Sequence, residues 1–116
     1  MEIRLEEYEY YIRPGYTDMR KQSRSLSILV QDTMNLEPFR KSVFIFCGRS
    51  RRILKAIVWD GNGWIEIIKR IECNERFFWP RDEEEARKAT LKQVMGLLAG
   101  YNVWRPLPEL SPETVG

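Results

Sequence analysis

The densest positive charge in the chain is Gly48-Arg49-Ser50-Arg51-Arg52, three arginines in four residues at a tight turn, with Lys55 just beyond it. Planar guanidinium groups on an exposed turn suit the gripping of phosphates, although turns of this composition also serve as plain soluble punctuation. A second basic stretch holds Arg20, Lys21 and Arg24, and a third is Lys69-Arg70. Contacts of this kind position a protein on a nucleic acid and carry little sequence information. Trp59, Trp64 and Phe78 are candidates of another sort, because buried aromatics dominate the energetics of protein interfaces.

Bond-making chemistry has less to work with. The chain contains no histidine, which removes Ser-His-Asp and Cys-His arrangements, and its two cysteines cannot assemble a conventional zinc site. Cys47 and Cys73 lack CxxC spacing and read as buried reduced thiols. A carboxylate-only magnesium site is conceivable but has nothing specific behind it. The acidic run Glu83-Glu84-Glu85 is better explained as the first turn of a short helix over 83–88, where the dipole favours acids. The expectation is a protein without catalytic residues, metal or cofactor.

Composition sets the frame. With 116 residues, 43% hydrophobic and 31% charged, the chain reads as one ordinary globular domain. Nineteen Lys and Arg stand against 17 Asp and Glu, a net charge of +2, so only local clustering argues for an anionic partner. No apolar run approaches membrane-spanning length and the opening Met1-Glu2-Ile3-Arg4 does not resemble a signal peptide, so the cytoplasm is expected, with no membrane partner and no small-molecule substrate.

The elements that must position these residues are organised by a hairpin. Gly61-Asn62 between two β-rich runs pairs Trp59 with Trp64. That register puts Leu54, Ala56, Val58, Ile65, Ile67 and Ile71 on a core face, with Lys69 the one charge among them. Ile53, Lys55, Ile57, Trp59, Trp64, Glu66, Ile68 and Arg70 form the other face, read either as the outer side of the sheet or as a contact surface. Val43–Cys47 is apolar on both faces and is expected to be central or covered on both faces. The segment 76–79 is a candidate fourth meander strand, and 8–13 a short strand ending at Pro14-Gly15.

Two main helices complete the reading. One is expected from an N-cap at Thr17 to about Asp32 or Met34, the other behind a Thr90/Gln93 capping box and ending at Gly100. The fold class is therefore α+β, an antiparallel β-meander packed by two helices, over residues 1–104. Pro106, Pro108 and Pro112 mark 105–116 as an extended or disordered tail.

Several stretches resemble one family in order and spacing: Gly15-Tyr16-Thr17-Asp18-Met19-Arg20-Lys21, Phe46-Cys47-Gly48-Arg49, Lys55-Ala56 with Trp59-Asp60-Gly61-Asn62-Gly63, Lys69-Arg70, and Trp79-Pro80-Arg81 before Glu83-Glu84-Glu85-Ala86-Arg87. Together they look like the Orf2-like, TnpB-type accessory protein of insertion-sequence family sixty-six. The likeness runs from about Ile12 to Tyr101. It departs where Gln22-Ser23-Arg24-Ser25-Leu26 replaces a more acidic run, and where the turn Glu72-Cys73-Asn74-Glu75 lacks a glycine. The resemblance implies a bacterial mobile-element protein used beside a separate transposase that performs the strand transfer, so no catalytic residues carry over.

Two functions remain open. In one, a non-catalytic accessory factor contacts DNA phosphates through Arg49, Arg51, Arg52 and Lys55, flanked by Arg20, Lys21, Lys69 and Arg70. In the other, an adaptor docks through Trp59, Trp64 and Phe78 on the transposase or a sister protein of the same element, without touching DNA.

Overall fold

The computed structural model describes residues 4–81 and 86–104. The strands are β1 (Glu9–Ile12), β2 (Ser42–Cys47), β3 (Ile53–Trp59), β4 (Trp64–Arg70) and β5 (Arg87–Ala89); the helices are α1 (Ser23–Met34) and α2 (Leu91–Leu98). A short 3-10 turn, Leu5–Glu7, precedes β1.

The five strands form one sheet in the order β4-β3-β2-β1-β5. β2, β3 and β4 are the expected antiparallel meander, and β2 lies at the centre with all six residues buried. The sheet as a whole is mixed, which corrects the purely antiparallel expectation. β1 pairs in parallel with β2, Tyr10 opposite Val43 and Ile12 opposite Ile45, because α1 carries the chain back across the sheet between them. The far edge is β5, antiparallel to β1.

Register in the hairpin follows the Gly61-Asn62 turn. Trp59 faces Trp64, and Asp60 N–H donates to the Gly63 carbonyl at 3.0 Å. The Asp60 carboxylate accepts the amides of Asn62 and Gly63, while Gly61 takes the positive φ of 105° that a side chain would strain.

Each sheet face carries a helix. Leu54, Ala56 and Val58 share a core with Val94 and Leu97 of α2, closed by Phe77 and Trp79. Ile57, Phe44 and Phe46 share a second core with Leu26, Val30 and Met34 of α1. The half-charged hairpin face is therefore covered by α1 along β3 and open along β4. Ile57 and Trp64 meet α1 and the buried Lys55 is paired with Glu66, whereas Ile68 at the β4 edge stays exposed.

Three local expectations are corrected. α1 begins at Ser23, not after Thr17. Thr17 is buried, gives its amide to the Cys47 carbonyl at 2.8 Å and accepts from Arg13 at 3.0 Å, so it prolongs the contact of the β1 segment with β2 instead of capping a helix. Asp18 then closes a turn by accepting the Arg20 amide. The segment 76–79 is not a strand; Phe77 N–H donates to Arg51 O and the Trp79 indole to Arg13 O, so Phe77 and Trp79 plug the core while Phe78 stays exposed. Residues 87–88 of the expected helix belong to β5 and Ala86 precedes that strand outside any helix, whereas 83–85 lie outside the described residues, as does the tail from 105. α2 has the expected capping box, Thr90 Oγ1 accepting the Gln93 amide and the Gln93 side chain accepting the Thr90 amide.

Candidate nucleic-acid interface

Folding brings Arg20-Lys21, the Arg49–Arg52 turn and Arg70 to one end of the sheet, while Arg24 lies on α1 beside Phe39 and Trp64. The β2–β3 turn is fixed by Arg51 N–H donating to Gly48 O and Gly48 N–H to Ile53 O. Arg51 adopts φ 59°, a left-handed conformation costing a non-glycine residue roughly 1 kcal/mol, and its carbonyl is held by the Phe77 amide at 2.7 Å. Beside this turn lies the Asp18–Lys21 turn. Thr17 is bonded to Cys47, and a Cβ at Gly48 would come within 2.6 Å of the Met19 side chain, so only glycine lets the two turns approach this closely. On the other side, β4 ends at the same place: Arg70 faces Ile53 and Ile71 N–H donates to Arg52 O.

The individual cations differ in their freedom. Arg49 is exposed and has no polar partner among the described residues. Lys21 is exposed, with its carbonyl accepting from Lys55. Arg20 is exposed but forms a two-pronged pair with Asp18 at 2.9 Å, and these bonds hold the Asp18 carboxyl down at about 2. Arg52 donates to Cys73 O, while its Nε is buried without a partner. A surface hollow of about 270 Å³ opens between Arg52, Ser50, Arg70 and Glu72. Lys69 points to the opposite face and donates to Leu98 O, where a cation complements the C-terminal end of α2.

Lys55 stands apart. It is only 8% exposed, its Nζ sits 3.1 Å from Glu66 and donates to Lys21 O at 2.9 Å. Such a lysine ties the basic loop to the sheet from beneath and offers no ammonium to a ligand.

The aromatic candidates do not form one group. Trp59 and Trp64 pack edge to face at the hairpin tip, centroids 5.2 Å apart. Phe78 lies instead near the C-terminal end of α2, its carbonyl accepting the Trp104 indole N–H. Sequence reasoning missed the residue that completes the tryptophan pair: Phe39, 53% exposed, with its ring 4.9 Å from Trp59 and 5.4 Å from Trp64. Its only sequence signal is an aromatic residue directly after Pro38 in a loop.

Cys47 is buried and its thiol is pushed up to about 12 by that burial, whereas Cys73 is exposed and free, which corrects the reading of both as buried. Among the described residues, no group of three or more Cys, Asp or Glu stands close enough to hold a metal ion, and no helix is long and apolar enough to cross a membrane.

Comparison with known proteins places these features in a family. An uncharacterized protein of Sinorhizobium fredii, y4hO, is 37% identical over 106 residues, which span 91% of each chain. No solved structure matches. The family described as IS66 Orf2-like protein matches residues 8–108, from the start of β1 to beyond the last described residue, and the chain belongs to that family of insertion-sequence proteins.

Proposed function

We propose that this protein is a non-catalytic accessory factor of insertion-sequence transposition that holds DNA by its phosphates. The observation that carries this reading is the convergence of Arg20-Lys21, the Arg49–Arg52 turn and Arg70 at one end of the sheet from three separate parts of the chain. Arg49, Arg51 and Lys21 make the direct contacts, with Arg20, Arg52 and Arg70 flanking them. Lys55 and Lys69 are structural members of the same region. The DNA is held in the cytoplasm beside the element's transposase, which performs the chemistry.

Contacts to phosphate alone give weak sequence preference. The test is a binding titration of the purified protein on the element's terminal DNA and on a random duplex at two salt concentrations. Binding to both that weakens with salt supports the reading; no binding to either overturns it.

A second reading has its own support. The Phe39–Trp59–Trp64 cluster borders a hollow of about 370 Å³ with Arg24, Ile28 and Gln31 of α1, and aromatic residues around a concavity suit a protein partner. An adaptor docking there on the transposase would bind it equally well after Arg49→Ala and would lose it after Phe39→Ala.

A further inference from the structure

We infer that the open edge of β4 pairs with β4 of a second copy of this chain, antiparallel about Ile68, joining two five-stranded sheets into one. No described strand lies beyond β4, which is seven residues long and free of proline and glycine. Long open edges of this kind are normally blunted, because their unpaired amides and carbonyls template further pairing.

The direction of those groups follows from the ladder. Asp60–Gly63 and Arg52–Ile71 are hydrogen-bonded pairs of the β3–β4 register. Antiparallel pairs alternate, so Ile65, Ile67 and Lys69 spend their backbone groups on β3, and Glu66, Ile68 and Arg70 turn theirs to the open edge. Each face at this edge carries an uncovered isoleucine: Ile67 is 50% and Ile68 55% exposed. An apolar gap of about 160 Å³ between α2 and the sheet continues inward from Ile67.

Charge selects the occupant and the register. With the two-fold axis at Ile68, Glu66 of each copy faces Arg70 of the other, Ile68 meets Ile68, and Ile65 meets Ile71. Sliding the axis to Glu66 or Lys69 sets like charges against each other. An axis at Ile67 leaves every charge opposite an apolar or aromatic residue. Of these registers only the Ile68 one sets opposite charges together, with Lys69 then facing Ile67. Because the interface is symmetric, each substitution in it acts twice.

The experiment is sedimentation equilibrium of the full chain from low to high micromolar concentration, alone and as Ile68→Lys and Arg70→Glu. Ile68→Lys opposes two lysines and Arg70→Glu opposes Glu66 with a second acid. Each is expected to weaken the dimer about tenfold or more. Thermal melts check that the variants fold. Hydrogen exchange supplies the second readout: amides 66, 68 and 70 gain protection as the dimer forms, while 65, 67 and 69 are protected in both states. A chain that stays monomeric throughout overturns the inference. So does a dimer indifferent to both substitutions, or edge amides already protected in the monomer, which would mean that the chain covers its own edge.

Discussion

Lys55 Nζ and Glu66 Oε1 lie 3.1 Å apart across the β3–β4 pair, with the Lys55 side chain 9% exposed and that of Glu66 27%. Ser23 at the start of α1 also donates to Glu66, and the Lys21 carbonyl accepts from Lys55. One ion pair thus locks the first turn of α1 and the basic loop before it onto the sheet. Neutralising Glu66 strands a buried ammonium, so Glu66→Gln should cost about 1–3 kcal/mol in urea unfolding. Lys55→Met keeps the packing and removes the charge, and is expected to cost less.

The two hairpin strands differ in depth on both faces, β3 being buried and β4 largely exposed. Ile57 is fully buried between Phe44 and α1, whereas Ile67 is half exposed at the sheet edge. Ile57→Ala should cost about 2–5 kcal/mol and Ile67→Ala well under that, as measured by chemical denaturation. Position on a core-facing row does not guarantee burial when the row belongs to an edge strand.

The thiols give a quick chemical check on the packing. Cys47 is buried with its ionisation displaced to about 12, so it stays protonated and shielded at mildly alkaline pH, while Cys73 is exposed. Alkylation of the native protein should modify one cysteine and, after denaturation, two. Mass spectrometry of the alkylated native protein reads the ratio directly.

Much of this architecture was legible in residue pattern. The Gly61-Asn62 turn between β-rich runs set the strand register, the doubly apolar Val43–Cys47 run marked the central strand, and Thr90 with Gln93 marked the start of α2. What was not legible depended on distant pairing. Nothing local to Glu9–Ile12 says that its partner will be parallel, and Arg87–Ala89 is too short to announce a strand. Thr17 has the chemistry of an N-cap, but its backbone is claimed by Cys47, a tertiary choice that overrides local preference. The Lys55–Glu66 pair was within reach, since the register already set both residues on one face; the cover from α1 that makes it buried was not.

The legibility of the candidate interface divides the same way. Arg49, Arg51 and Arg52 are conspicuous in sequence, but the bond from Arg52 to Cys73 and the burial of Lys55 appear only in three dimensions. Phe39 had no periodic signal at all.

The most direct test of the basic end is the salt dependence of DNA binding by the protein and by Arg49→Ala with Arg51→Gly. Glycine suits the left-handed backbone at position 51, so this pair removes two guanidinium groups without straining the turn. If the turn holds phosphates, the melting temperature stays close to that of the parent. Binding weakens on all duplexes alike, and the log–log salt slope shrinks by about 0.9 for each phosphate no longer neutralised. An unchanged affinity and slope in a folded variant would contradict it.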